Sequence, residues 1–370
     1  MKVGIMSMQR IVNYGSFLQA YGLKKTIESM GHEVEFVDYL PESPVAMEEQ
    51  KHTNPVLRKL KNVVKMCSAS YRAWRKNQIR SNETFAEFIR AYREDWLPLL
   101  GVEDKKNYCP ELDALVIGSD EVFNCTQPGE SVGYSRQLFG KNHHAQKLLS
   151  YAATFGSTTM DKLERYNIKE EVADLLNGFD TLSVRDTNSA HMVKQMTGKD
   201  VPIHIDPVLL YPFPEVQDIK IPQSFKDYIV VYAYSGRLTE DEITAVKAFA
   251  KKTGKKLISL GYWQTFCDDF ILASPLEVLA YIRGADYIIT DTFHGTVFSI
   301  VTKKKFGTII RTSNSQKIRS LLKLFGLESQ EIGNLADMEK VVTTPINYNK
   351  VDKVLNLERE RALEYLRQSI

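Results

Sequence analysis

The feature that most restricts the fold of this chain is a strand–helix rhythm that runs twice, once on each side of a proline-rich break. Such alternation points to parallel sheets, because parallel neighbours need a long return connection and a helix supplies it. Before the break, Lys2 to Met6, Glu33 to Tyr39, Leu112 to Ile117, Leu148 to Thr154 and Thr181 to Arg185 read as strands. Helices are expected over Ser16 to Met30, around Met160 to Leu176, and over Thr187 to Met196. The break, Asp206 to Gln223, holds Pro207, Pro212, Pro214 and Pro222 and reads as a linker. After it, Tyr228 to Ala233, Lys256 to Leu260, Tyr287 to Thr290 and Phe306 to Ile310 read as strands. Helices there are expected over Glu240 to Lys252, over Pro275 to Arg283 and after His294.

The predicted architecture is therefore α/β, with two Rossmann-like domains facing a cleft. Residues 1–210 form the first domain and 211–345 the second. Residues 346–370 form a terminal helix packed back on the first. At 370 residues the chain exceeds the usual size of one core, which fits two domains. Ligands of such sheets bind beyond the carboxyl ends of strands.

Between Pro41 and Asn107 the rhythm gives way to an insertion at about residues 45–107. Residues 51–80 carry Lys51, Arg58, Lys59, Lys61, Lys65, Arg72, Arg75, Lys76 and Arg80 and no acid. One reading is a solvated helix face; the other is a surface for an anionic partner, such as a membrane leaflet or a lipid-diphosphate sugar. The net charge of +2 gives no general attraction to nucleic acid. Cys67, Cys109, Cys125 and Cys267 include no CxxC pair, so zinc and disulfide readings lack support and reduced thiols of a cytoplasmic protein fit best. No signal peptide is apparent, and no apolar run reaches the roughly 18 residues a membrane span needs.

Four strand ends carry residues suited to chemistry. After the first strand come Asn13, Tyr14, Gly15 and Ser16, where Gly15 lets a backbone approach a ligand and Asn13 or Ser16 caps a helix. After Leu112 to Ile117 come Ser119, Asp120 and Glu121; the carboxylates suit sugar hydroxyls or, equally, the capping of a short helix. Arg185 ends a third strand and can fork onto a carboxylate or phosphate, or pair with a neighbouring acid. After Tyr287 to Thr290 come Asp291 and His294, at the start of a helix whose free N–H groups can hold an anion. No P-loop, GxGxxG, HExxH or GxSxG motif is present, so the kinase, dinucleotide, metalloprotease and serine-hydrolase readings lose ground.

The order NYGSFLQAYGL (13–23), LDALVIGSDEVFN (112–124), SYAATFG (150–156), LSVRD (182–186), DPVLL (206–210) and ITDTFHGTVFSI (289–300) resembles the polysaccharide pyruvyl transferase family. The resemblance implies a GT-B-like pair of domains, phosphoenolpyruvate as donor, a carbohydrate acceptor that is free or lipid-linked, and a pyruvate ketal as product with phosphate released. It implies no metal and no cofactor. The family's arginine falls on Arg185 and its histidine on His294. Two departures stand out. Thr292 occupies a position where some members carry a second arginine, so Arg311, Lys317 and Arg319 become candidates for that cation. Glu121 and Phe123 replace the glutamine and tryptophan of GSDQVWN, which places the extra acid better near acceptor hydroxyls than near an anionic donor.

On this resemblance Arg185 grips the donor, and Gly295 and Thr296 open the helix N-terminus to it. His294 acts as general acid on the methylene carbon or steadies the departing phosphate, and Asp120, or failing that Asp291, takes the hydroxyl proton. Two other classes stay open at this stage. One is a nucleotide-sugar-dependent GT-B glycosyltransferase, with Asp268 and Asp269 as its ribose-binding candidates. The other is a non-catalytic carbohydrate-binding relative.

Overall fold

The computed structural model describes residues 1–45, 69–127 and 134–370, apart from the side chains of 69–78. The first sheet opens with β1 (Lys2–Met6), which α1 (Tyr14–Ser29) links to β2 (Glu33–Phe36). After α2 (Ala69–Ala91) come β3 (Glu111–Asp120) and β4 (His144–Ala153). The order is β2-β1-β3-β4, and every pair is parallel. Three helices follow, α3 (Met160–Arg165), α4 (Lys169–Asn177) and α5 (Thr187–Thr197). A short buried helix, α6 (Pro207–Leu210), then leads to the second sheet.

There β5 (Tyr228–Tyr232), α7 (Glu240–Thr253), β6 (Lys256–Leu260), β7 (Asp269–Ile271), α8 (Pro275–Gly284), β8 (Tyr287–Thr290), α9 (Phe293–Val301) and β9 (Lys305–Thr308) follow in turn. The order is β7-β6-β5-β8-β9, again parallel throughout. Central strand β5 is buried at every position, as expected where helices cover both faces of a parallel sheet. The chain ends with α10 (Ser315–Phe325), α11 (Met338–Thr343) and α12 (Tyr348–Ser369). From α12, Tyr365 donates to Ser150 O (2.8 Å) and Arg359 donates to Leu209 O (2.7 Å), so this helix returns to the first sheet and to α6.

Several sequence expectations change. The strand expected at Thr181–Arg185 is held only by isolated bridges to Leu149, Ala153 and Ile203. The hydroxyls of Ser150 and Ser183 bond to each other's backbone and to Ala152 N, so side chains replace part of the ladder. The single helix expected around Met160 to Leu176 is two, divided at Asn167, whose positive φ of 54° ends the first. The last strand is Lys305–Thr308 rather than Phe306–Ile310, and β7 has no counterpart in the sequence reading. The first part of the Asp206–Gln223 linker is core: Pro207, Val208, Leu209, Leu210 and Phe213 are buried, whereas Pro212, Pro214 and Pro222 are exposed. Of the basic stretch, Lys51, Arg58, Lys59, Lys61 and Lys65 lie outside the described residues, as does Cys67. Arg80 is described, and it stacks over Trp263 of the second domain at 4.2 Å.

The two sheets share one apolar core. Tyr14, Phe88, Trp96 and Tyr262 form its aromatic hinge, with ring centroids 4.8 Å (Tyr14–Phe88), 5.6 Å (Tyr14–Trp96) and 5.7 Å (Phe88–Tyr262) apart. Such pairs contribute about 0.5–1.5 kcal/mol each beyond their buried area. An apolar hinge of this kind holds the cleft walls in register more firmly than the polar interfaces usual between domains. No helix among the described residues is long and apolar enough to cross a membrane.

Candidate active site

A cleft of about 360 Å³ lies between the domains at the carboxyl ends of β1, β3, β5 and β8. Its back wall is the start of α9. Thr292 caps that helix by accepting from Gly295 N (2.9 Å), which leaves Phe293 and His294 in the first turn facing the cleft. Gly15 in α1 lies directly against the His294 ring. A Cβ there would stand 2.1 Å from His294 Nδ1, so the glycine admits the imidazole of the other domain rather than a ligand. On its other side, His294 Nε2 is 3.5 Å from Asp206 Oδ2 and has no hydrogen-bond partner.

Asp206 is fully buried and joins the two expected functional cations. Its Oδ2 also accepts from Arg185 NH1 at 2.6 Å. Burial alone would raise its pKa, but His294, Arg185 and the Val208 N–H outweigh that and hold it at about 2. Arg185 is only 3% exposed, and its guanidinium lies 4.5 Å from the Phe293 ring centroid. Its Nε and NH2 have no hydrogen-bond partner, although NH2 lies 3.6 Å from Asp120 Oδ1. Arg185 faces a second cavity of about 470 Å³, which Phe293 and Lys317 share with the cleft.

The opposite wall comes from the end of β3. Asp120 accepts from Ser16 Oγ (2.9 Å), and Glu121 accepts from Lys317 Nζ of α10 (2.5 Å). Asn13 caps α1 through Oδ1 and reaches across the cleft with Nδ2 to Tyr234 OH (2.8 Å) and Tyr262 OH (3.3 Å). Arg237, from the loop after β5, completes the wall; its Nε is 3.1 Å from Asp291 Oδ2.

The structure thus brings His294, Asp120, Asn13 and Glu121 to the cleft, with Gly15 against His294 and Arg185 joined to it through Asp206. It withdraws six other candidates. Tyr14 is buried and donates to Ala273 O (2.6 Å) in the hinge. Ser119 is buried, with its hydroxyl accepting from Asp120 N (2.6 Å). Gly295 sits where a Cβ would meet Thr290 Oγ1 at 2.1 Å, and its N–H is taken by Thr292. Thr296 is buried and donates to Thr292 O (3.0 Å) and Thr308 Oγ1 (3.2 Å). Arg311 forks onto Glu242 (2.7 and 2.8 Å) and bonds to Asp291 (3.0 Å), so each of its three nitrogens has a carboxylate partner, and it does not line the cleft. Arg319 is 61% exposed and pairs with Glu331.

Asp291 is wholly buried between Arg237 and Arg311, so it does not reach a hydroxyl in the cleft. Asp268 accepts from Leu257 N (2.8 Å) and Asp269 lies in β7; neither lines the cleft. The sequence reading also missed two residues. Asp206 was visible only as the first letter of DPVLL, where its role as N-cap of a proline-led turn hides its second contact. Arg237 lies five residues beyond the end of β5, in a loop with no motif around it to mark it.

A family model for polysaccharide pyruvyl transferase matches residues 13–313. No curated protein matches the chain. Among solved structures, a Listeria monocytogenes protein described as a UDP-N-acetylglucosamine 2-epimerase aligns with a TM-score of 0.50 at 11% identity, over 99% of this chain and 94% of that one. S. aureus MnaA, solved with UDP, aligns at 0.45 and 10% identity over 100% and 97% of the two chains. E. coli heptosyltransferase WaaC, solved with ADP, aligns at 0.38 and 15% identity over 86% and 90%. At such identities likeness concerns the fold alone, and the first alignment agrees with two Rossmann-like domains in a GT-B-like arrangement.

Proposed function

Given that this chain belongs to the polysaccharide pyruvyl transferase family, we propose that it moves the enolpyruvyl group of phosphoenolpyruvate onto sugar hydroxyls of a cell-surface polysaccharide or its precursor. The product is a pyruvate ketal, and phosphate leaves. The observation that carries this reading is the unfinished coordination of Arg185. A buried guanidinium with two unpartnered nitrogens is costly to keep, about 1–3 kcal/mol for each unsatisfied group. A donor carboxylate or phosphate would satisfy both through parallel bonds.

The chemistry then divides between the walls. His294 carries a proton to the methylene carbon of the donor, and positive charge develops at the neighbouring carbon. One sugar hydroxyl attacks that carbon and loses its proton to Asp120, which faces the cleft and is steadied by Ser16. Phosphate departs with the donor C–O bond, and the second hydroxyl closes the ketal, its proton leaving with phosphate. Lys317 and Arg237 supply the further positive charge, since both line the cleft and Arg311 and Arg319 do not. No step requires a metal. Asp120, Glu121 and the amide of Asn13 line the same cleft, which supports a polyhydroxyl acceptor.

The test is ligand stabilisation followed by turnover. Phosphoenolpyruvate at about 100 times its dissociation constant should add about 2.7 kcal/mol to stability, and Arg185→Ala should abolish the gain. His294→Ala should keep the gain yet lose about 100- to 10,000-fold in acceptor-dependent phosphate release. Stabilisation by a UDP- or GDP-sugar, with none by phosphoenolpyruvate, would overturn the donor assignment.

A further inference from the structure

We propose that Lys317 is the centre of an anion subsite in this cleft, and that Glu121 occupies that subsite while no ligand is bound; the proposal deepens the donor reading above and rests on it. The two residues come from opposite domains. Glu121 follows β3 and Lys317 lies in the first turn of α10, yet they meet across the cleft at 2.5 Å. Both line the cleft, and Lys317 also lines the cavity that holds Arg185. Lys317 Nζ lies 5.7 Å and the Arg185 guanidinium 4.5 Å from the same Phe293 ring centroid, and all three residues line one cavity, so an anion entering that cavity meets positive charge from both.

The pair is unequal in a way that suits exchange. Glu121 keeps other partners without Lys317, namely Asn124 Nδ2 at 2.8 Å and Gln127 Nε2 at 3.4 Å. Lys317 has no ion-pair partner but Glu121 among the described residues. A lysine on a flexible stem, with three donors, can pass from one anion to another. Burial would raise Glu121, but Lys317, Asn124 and Arg185 hold its carboxyl at about 2. The carboxylate therefore stays charged across the physiological range, and only a competing anion displaces it. Glu121 thus lowers anion affinity here and ties anion binding to the breaking of a bond between the domains.

Calorimetric titration of phosphoenolpyruvate and of inorganic phosphate into wild type, Glu121→Gln, Lys317→Ala and the double variant tests this. Glutamine keeps the shape and the carbonyl contact to Asn124, and a urea midpoint for each variant checks folding. Glu121→Gln should bind both anions about tenfold more tightly, the change that about 1.4 kcal/mol represents. Lys317→Ala should bind them more weakly, and the double variant should match Lys317→Ala. Equal or weaker binding by Glu121→Gln would overturn the proposal. So would a gain that survives in the double variant, because Glu121 would then act through the general field. A gain for phosphate with no binding of phosphoenolpyruvate would leave the masked subsite standing and remove the donor reading. Phosphoenolpyruvate binding with no gain would do the reverse, and failure of Glu121→Gln to bind either anion would remove the subsite.

Discussion

Arg185 and Arg311 both lie near the floor of the cleft, both touch a buried aspartate, and in sequence both looked fit to hold an anionic donor. Their coordination separates them. Arg311 gives two bonds to Glu242 and one to Asp291, and Glu242 is itself fixed by capping α7 through Thr239. Arg185 gives one bond to Asp206, stacks on Phe293 and leaves Nε and NH2 unpartnered. The charge is the same, so charge does not decide the role. The nitrogens left without a partner separate them: Arg311 has all three nitrogens engaged and braces its neighbours, whereas the buried Arg185 has two unengaged, which is why the proposed function assigns the donor to it.

That contrast can be broken most forcefully at the brace. Arg311→Ala should cost about 3–5 kcal/mol of folding stability, because it strands Glu242 without its main partner and leaves the buried Asp291 with Arg237 alone. Phosphoenolpyruvate affinity of the folded variant should stay at the wild-type value. Urea unfolding and donor titration on the same preparation measure both. A large loss of affinity with unchanged stability would make Arg311 a ligand group and reverse its assignment.

Arg185→Lys sharpens the other half. Lysine keeps the charge beside Asp206 but loses the fork, so the expected loss is about 10- to 100-fold in donor affinity, the worth of one charge-assisted hydrogen bond. Unchanged affinity would mean that position 185 supplies only charge, and the receptor reading would fall with it.

The same contrast explains what the sequence could and could not disclose. Alternating apolar runs disclosed both sheets, because burial on two faces imposes a pattern that survives in one dimension. His294 and Asp120 were legible because strand ends are where ligands sit in such folds. Partnership was not legible. Nothing in the order of residues tells that Glu242, 69 positions away, would complete Arg311, or that the N–H of Gly295 would be spent on Thr292. The proline-rich stretch misled for a related reason. Prolines mark a chain that leaves regular structure, and they are silent about whether it is then packed under a helix, as Pro207 to Leu210 is. Asp206 was hidden with it.

The smallest effect belongs to Arg319, and it tests the contrast from outside the cleft. Arg319 is a third arginine with a carboxylate partner, bonded to Glu331 at 2.7 and 3.1 Å, so counting bonds alone would class it with Arg311. It differs in exposure: water replaces any partner it loses, and an exposed pair stabilises little because hydration and side-chain freedom offset the attraction. Arg319→Ala should therefore leave the urea midpoint and the phosphoenolpyruvate affinity where they are in wild type. A clear loss of stability would show that bond count outweighs burial, and the account of Arg311 would have to drop the stranding of Glu242. A loss of donor affinity would place an anion on the outer face of α10, which the geometry of the cleft does not accommodate. If both values hold, burial and incomplete coordination together pick out Arg185 among these three arginines.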